Sequence, residues 1–130
     1  MKGIFLVMTT PFKGFGELDS DSLRENIEFL TEQFRGRDCV LNRERGGLIK
    51  VVVDAANGRL PVLAGTAHAG TAPTLEMSRH AEDCGADGVM GVLPYYEITS
   101  EEGVYQHFKA VAESIDIPLM IYNNPITSKS

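Results

Sequence analysis

The chain has 130 residues, of which 43% are apolar and 23% charged, and its formal net charge is -6. This composition is typical of one globular domain spanning residues 1–130, without bias toward disorder or repeats. The acidic balance and the scatter of the 12 Lys and Arg residues argue against nucleic acid as a partner, because phosphate binding requires a clustered basic surface. A doubly wound α/β domain fits into this length, whereas a complete (β/α)8 barrel usually needs about 250 residues.

The cysteines and the N-terminus indicate the cellular compartment of the protein. Cys39 and Cys84 have no metal-ligand spacing, and a single pair of cysteines without a secretion signal is typical of a reducing cytoplasm. The first apolar run ends at Thr9, which makes it too short for a membrane span, and it lacks a cleavage signature. We therefore expect a cytoplasmic protein with no membrane partner.

Short apolar runs alternate with amphipathic stretches along the chain. Nearly unbroken apolar runs are typical of strands that are buried on both faces of a parallel sheet. They predict strands over residues 3–9, 60–65, 88–93 and 117–122. Apolar residues at helical spacing predict helices over residues 20–33, over residues 48–56, from Thr71 to near Gly85 and from Ser100 to near Ile115.

Residues with capping preferences mark the ends of these helices. Ser22 and Glu25 have the spacing of a capping box in the first helix. Gly58 and Gly85 lie where a C-terminal glycine is expected, and Ser100 lies where an N-cap is expected. Each predicted helix therefore has a residue with a capping preference at one end at least.

The alternation repeats about every 25 to 30 residues, which is the length of one βα unit. Right-handed crossovers make all such strands parallel, so their carboxyl ends meet at one rim. Function gathers at that rim in barrels and in open sheets alike. The residues expected there are Thr10, Thr66, Tyr95, Tyr96 and Tyr122.

Five motifs, in this order along the chain, are similar to those of the dihydrodipicolinate synthase and N-acetylneuraminate lyase family. They are Gly3-Ile4 leading to Thr10-Pro11-Phe12, the stretch from Gly58 to Thr66, Gly85-Ala86-Asp87-Gly88, Leu93-Pro94-Tyr95-Tyr96, and Ile121-Tyr122-Asn123-Asn124-Pro125. A helix opening with Glu102-Gly103-Val104-Tyr105 adds to the likeness. The resemblance covers most of the chain except about residues 35 to 47.

The resemblance implies an α/β fold, a partial (β/α)8 TIM barrel of about four to five βα units. It also implies a class I aldolase or lyase that joins a lysine to pyruvate or a related 2-keto acid as a Schiff base, without a cofactor or a metal. Imine formation moves protons on and off a carbinolamine oxygen, so a weak acid must lie within hydrogen-bond reach.

On this pattern two tyrosines are the expected catalytic residues. Tyr122 matches the strand-end tyrosine that relays protons and touches the keto acid. Tyr96 matches the second tyrosine of a pair, which in much of the family reaches across a subunit interface. The expected partners are therefore a small 2-keto acid and further copies of the chain in a homo-oligomer.

The first departure from the family concerns its lysine, which lies one strand beyond the tyrosine. One βα unit places that position roughly 25 to 30 residues after Tyr122, which is past Ser130. Lys129 is too close to Tyr122 for this role and is interpreted as a tail residue. We therefore predict that the chain has no Schiff-base lysine and is inactive alone.

The second departure lies in residues 35–47, where the family's Gly-Thr-Thr-Gly-Glu-like turn, which holds the keto-acid carboxylate, is absent. This stretch is basic, almost aperiodic and about ten residues shorter than a βα unit needs. We interpret it as a deletion or frameshift that disrupts the second βα unit. Val40-Leu41 is a candidate remnant of the second strand, although a very short one.

A third departure concerns the second substrate. True dihydrodipicolinate synthases place an arginine shortly after the Tyr-Asn pair, and the stretch from Pro125 to Ser128 has none. This favours a sugar-acid aldolase or dehydratase as the parent. The sequence leaves open whether that parent cleaves, condenses or dehydrates.

Several alternatives stand beside this interpretation. Tyr122 taken alone is typical of an amphipathic residue at a strand end, and Tyr95 and Tyr96 fit packing under a loop or in an interface equally well. The three histidines share no metal-ligand spacing; they are His68, His80 and His107. We expect them to be structural or at the surface, and we predict no metal site.

Two other functions fit the sequence. One is a non-catalytic half-barrel that buries its open strand edges by self-association and serves as an interaction module. The other is a flavodoxin-like domain that binds a small anion where the strand order reverses.

Overall fold

The computed structural model describes residues 5–33, 39–42, 46–93 and 100–123. The strands are β1 (Phe5–Val7), β2 (Cys39–Asn42), β3 (Val62–Gly65), β4 (Gly88–Val92) and β5 (Leu119–Tyr122). The helices are α1 (Ser20–Gln33), α2 (Gly46–Ala56), α3 (Thr71–Asp83) and α4 (Glu101–Glu113), and a short 3-10 turn spans Gly14–Gly16. The predicted alternation is therefore confirmed, with ends shifted by a few residues.

The strands form one parallel sheet in the order β1-β2-β3-β4-β5. Consecutive helices contact one another, α1 with α2, α2 with α3 and α3 with α4, so they cover one face of the sheet. Right-handed crossovers between adjacent parallel strands produce this arrangement, which is that of a partial TIM barrel. The strand order does not reverse, so the flavodoxin-like alternative is wrong.

The short second strand is present and lies between β1 and β3 in the sheet. β2 pairs with β1 at Phe5 opposite Cys39, and with β3 at Leu41 opposite Leu63. The prediction of a strand at Val40-Leu41 is confirmed. Only three residues separate the end of β2 from the start of α2, so this connection in the second βα unit is very short.

The two faces of the sheet have different neighbours. Val62 and Ala64 of β3 and Val89 of β4 lie in the apolar core between the sheet and the helices. The alternate residues Leu63 and Met90 belong to a smaller cluster on the opposite face. Successive side chains of a strand point to opposite faces, so this second face corresponds to the interior of a barrel. We call it the open face.

The amino ends of the strands are held by charged side chains. Arg59 donates to both carboxylate oxygens of Glu28, at 2.8 and 2.6 Å, and to the carbonyl of Ala55 at 2.8 Å, which ties the end of α2 to α1. The Asp87 carboxylate accepts a hydrogen bond from the Val62 amide at 2.8 Å, at the start of β3. The family-like motifs around Gly58 and Gly85 therefore stabilise the rim opposite the expected site.

The helix ends follow the predictions with one exception. Ser100 accepts a hydrogen bond from the Gly103 amide at 3.2 Å, and Gly85 has a φ of 88°, so both predicted caps are confirmed. The capping box predicted at Ser22 is wrong. Asp19 is the cap of α1, because its carboxylate accepts from both the amide and the hydroxyl of Ser22, at 3.2 and 2.9 Å. These bonds hold the pKa of Asp19 below its usual value.

None of the helices in the described ranges has the length and apolar character that a membrane crossing would require.

Gly91 offers a direct test of how α4 packs on the sheet. A Cβ at Gly91 would lie 2.9 Å from Cε1 of Phe108, a ring that is itself buried. Gly91→Ala should therefore lower the free energy of unfolding by about 1–3 kcal/mol in urea titrations, because overpacking forces neighbours to shift. Gly14→Ala is the control, since its Cβ would meet no atom within 4 Å. Equal stability of the two variants would contradict this packing.

Candidate active-site rim

The carboxyl ends of the five strands lie at one edge of the sheet, as parallel pairing requires. This rim carries Thr66 after β3 and Tyr122 at the end of β5. Thr10 follows β1 by a few residues on the same side. Tyr95 and Tyr96 lie outside the described residues, so the prediction for Tyr96 stays a prediction.

Tyr122 is at the edge of the open face. It is opposite Val92 of β4 in the sheet register, and it lies two residues after Met120, whose side chain packs in the open-face cluster. The same alternation that puts Met120 on the open face puts Tyr122 there too. Tyr122 is 42% exposed, so its phenol is accessible from the interior of the half-barrel. A phenol in this position can exchange a proton with a bound molecule.

The side chain of Thr66 points to the helical side of the sheet, away from the open face. Its hydroxyl accepts a hydrogen bond from Ser78 of α3 at 2.9 Å, and both side chains are buried. Its amide donates to the carbonyl of Met90 at 3.1 Å. Thr66 therefore fixes the end of β3 to α3 and β4, and its hydroxyl is not on the open face. The sequence placed it correctly at the rim but did not reveal its direction.

Two of the lysines in the described residues extend from the helical layer, and a third lies in the loop after β1. Lys50 lies on α2 and pairs with Asp54 at 3.2 Å, and Lys109 lies on α4. Both side chains are largely exposed on the helical layer. Lys13 lies in the loop after β1, where its ammonium is 4.0 Å from Asp19. Lys50 and Lys109 therefore do not share the open face with Tyr122, and Lys13 lies beside Asp19.

His107 is a residue whose importance the sequence analysis missed. It is 5% exposed, its Nδ1 is 2.8 Å from the Thr71 hydroxyl, and its ring meets Phe108 edge-on. It thus joins α4 to the first residue of α3, so it links the helices that follow two rim loops. The sequence signal for its burial is that His107 lies three residues after Val104 and four before Val111, on the apolar face of α4.

Burial lowers the pKa of His107 from its ordinary value near 6.5. The charged imidazolium is disfavoured because it would lose water without gaining an opposite charge. His107 therefore connects α3 and α4 through its contacts with Thr71 and Phe108. Among the residues that the structure describes, no three His, Cys, Asp or Glu side chains form a group able to hold a metal ion.

The chain forms a partial barrel of parallel βα units with a tyrosine at a strand end of its open face, and in complete TIM-barrel enzymes the active sites lie at this carboxyl rim. The model of the Dihydrodipicolinate synthetase family matches residues 1–130. The chain belongs to this family.

Relatives and solved structures give the extent of the likeness. A 4-hydroxy-tetrahydrodipicolinate synthase of Syntrophus aciditrophicus is 40% identical over 136 positions, which cover 95% of this chain and 46% of that protein. The dihydrodipicolinate synthase structure from Aquifex aeolicus has a TM-score of 0.90 at 35% identity, covering 99% of this chain and 47% of that one. A prophage protein of the family from E. coli K12, solved with pyruvate, has a TM-score of 0.90 at 31% identity, with 98% and 46% covered.

The chain therefore spans about half the length of the relatives it matches. The alignment with the Syntrophus protein has more positions than this chain has residues, so that relative carries residues that this chain lacks.

The low pKa of His107 predicts a pH-dependent stability. Below about pH 6.5 the unfolded chain binds a proton that the folded chain resists, so stability should be full above this pH and should fall as the pH drops toward the folded pKa. Melting temperatures between pH 8 and pH 5 should show a loss that His107→Gln reduces. His68→Gln, at an exposed position, is the control and should leave the loss unchanged. An identical pH dependence in the unmodified chain and both variants would show that His107 is not the source of the loss of stability.

Proposed function

We propose that this chain is the tyrosine-bearing half of a Schiff-base lyase or aldolase that acts on pyruvate or a related 2-keto acid in the cytoplasm. We propose further that the 130 residues do not catalyse the reaction alone, because the amine that captures the keto acid comes from elsewhere. The observation that carries this proposal is the position of Tyr122, a half-exposed phenol at the rim of the open face.

Tyr122 suits the proton transfers of imine chemistry. When an amine adds to a ketone, the carbinolamine oxygen must gain a proton before it leaves as water. A phenol at the end of β5 can give that proton and take it back, provided that the substrate lies above the open face. The resemblance to the family assigns the same role to Tyr122, and it assigns Tyr96 to a proton relay that is shared with a neighbouring subunit.

The positions of the lysines support the second part of the proposal. A Schiff-base lysine must reach the substrate carbonyl beside the phenol, whereas Lys50 and Lys109 extend outward from the helical layer. Lys13 is at the rim, but its ammonium lies near the Asp19 carboxylate.

Keto-acid binding should also be weak in this chain. In the family, the turn after the second strand supplies the hydroxyls and amides that hold the substrate carboxylate. Here only residues 43–45 separate β2 from α2. We propose that this half keeps the proton-transfer group and has lost most of the carboxylate site.

Reductive trapping tests the missing amine. The isolated chain, incubated with pyruvate and borohydride, should show no added mass by intact-protein mass spectrometry, because Lys50 and Lys109 extend from the helical layer and Lys13 lies beside Asp19. The full-length Syntrophus synthase is the positive control. A pyruvate adduct on Lys13 or Lys50 would show that this chain captures the keto acid by itself.

A covalent fusion tests the role of Tyr122. Joining this chain to the C-terminal half of the Syntrophus synthase should restore borohydride trapping of pyruvate, and the rate of imine formation should fall about 100-fold in Tyr122→Phe, as expected for the loss of an acid–base group. Tyr105→Phe is the matched control, since Tyr105 is 59% exposed on α4. Equal rates in the two variants would remove Tyr122 from the mechanism.

The exposed strand edges favour a second candidate, a non-catalytic half-barrel that self-associates. Val7 in edge strand β1 and Ile121 in edge strand β5 are 65% and 53% exposed. Unpaired apolar edges tend to pair with another chain. Light scattering of the isolated chain should then give a dimer or a larger species, as the expected homo-oligomer also requires. A monodisperse monomer would contradict both forms of self-association.

A further inference from the structure

The turn that joins α2 to β3 has Asn57 and Gly58 at its centre. Their φ values are 46° and 70°, and the Arg59 amide donates a hydrogen bond to the Ala56 carbonyl at 2.9 Å across them. Two central residues with positive φ, closed by such a bond, are typical of a type I′ turn, in which asparagine followed by glycine is the preferred pair. Both residues are exposed, and a Cβ on Gly58 would meet no atom within 4 Å. The turn therefore has open space around it.

The Asn57 side chain and the Gly58 main-chain nitrogen are both unpaired. Neither group makes a hydrogen bond to any residue that the structure describes, although most main-chain N–H groups in proteins have a partner. The Gly58 N–H is open to water, so solvent base can remove its proton and make the nitrogen a nucleophile. Among the asparagines of the chain, only Asn57 precedes a glycine, whose nitrogen no side chain shields. The Gly58 nitrogen can therefore approach Cγ of Asn57.

We propose that Asn57 is a site of spontaneous deamidation. The deprotonated Gly58 nitrogen attacks Cγ of Asn57 and forms a new N–Cγ bond. The bond between Cγ and Nδ2 breaks, and the leaving nitrogen takes protons from water and departs as ammonia. The product is a five-membered succinimide ring that spans the two residues. This inference does not depend on the proposed function.

Hydrolysis of the ring gives two products. Water that adds to Cγ breaks the new bond and leaves aspartate in an ordinary main chain. Water that adds to the main-chain carbon of Asn57 breaks the original peptide bond and leaves isoaspartate, in which the chain runs through the side chain. The whole reaction consumes water and releases ammonia, with no oxidation, no reduction and no cofactor.

A second pair in the chain shows how the fold protects such a site. Asp87 precedes Gly88, and an aspartate can close the same ring by losing water. The Asp87 carboxylate, however, accepts a hydrogen bond from the Val62 amide at 2.8 Å, and Gly88 is the buried first residue of β4. Ring closure there would break this bond and distort the pairing of β4 with β3. We therefore expect Asp87 to stay intact while Asn57 reacts.

Isoaspartate at position 57 would disturb the contacts of Arg59. It adds one carbon to the main chain between Ala56 and Arg59, and it places a carboxylate two residues from the guanidinium. In the unmodified turn, Arg59 donates to the Ala55 carbonyl at 2.8 Å and to both carboxylate oxygens of Glu28. The longer turn and the competing charge would draw Arg59 away from Glu28. Deamidation should therefore loosen the junction between α1 and α2.

Peptide mapping after incubation at mildly alkaline pH tests the reaction. The peptide that contains Asn57 should show the mass change from an amide to an acid, and the changed fraction should rise with pH because base removes the Gly58 proton. Methylation by a protein isoaspartyl methyltransferase detects the isoaspartate product. Asn26 is the control in the same sample: its side chain is exposed on α1, but the next residue is the buried Ile27. It should keep its amide.

Asn57→Gly tests the consequence for stability. Glycine keeps the positive φ and removes the side chain that reacts. The melting temperature of the unmodified chain should fall with time of incubation, whereas that of Asn57→Gly should stay constant. Mapping of the unmodified chain decides the reaction even if this variant does not fold.

Retention of the Asn57 amide, or equal modification of Asn57 and Asn26, would overturn the site. Modification of Asn57 without a fall in the melting temperature would overturn the link to Arg59.

Discussion

The parallel pairing of β4 with β5 is the interaction on which the site depends. Its register puts Tyr122 opposite Val92, and the period of two along β5 then decides that the phenol faces the interior of the half-barrel and not the helices. A shift of one residue would turn Tyr122 toward the helical layer and Ile121 toward the substrate side. Strand register therefore decides that the phenol of Tyr122 is accessible from the open face.

The amino and carboxyl rims of the sheet have different roles. At the amino ends, Arg59 bonds Glu28 and Asp87 bonds the start of β3, and these contacts join elements that are distant in sequence. At the carboxyl ends, the buried pair of Thr66 and Ser78 anchors one strand, and Tyr122 is left accessible. This division matches parallel barrels in general, where one rim carries stability and the other chemistry. The charged contacts at the amino ends therefore lie at the opposite end of the sheet from the accessible Tyr122.

The sequence predicted the order of strands and helices well, because buried apolar runs and amphipathic helices have distinct periods. It did not predict the direction of Thr66, because both faces of a parallel strand are apolar and no polar alternation marks them. The cap of α1 was placed at Ser22, where the capping-box spacing is present, although the Asp19 carboxylate makes the bonds. The role of His107 requires its contact with Thr71, 36 residues away, which no local pattern shows.

Hydrogen exchange of β5 tests most directly whether its pairing with β4 leaves the outer edge of β5 open. In the isolated chain, peptides covering Leu119–Tyr122 should exchange much faster than those covering β4, since amides directed to the free edge are unprotected. Slow exchange throughout β5 in a monomer of the isolated chain would contradict an open outer edge.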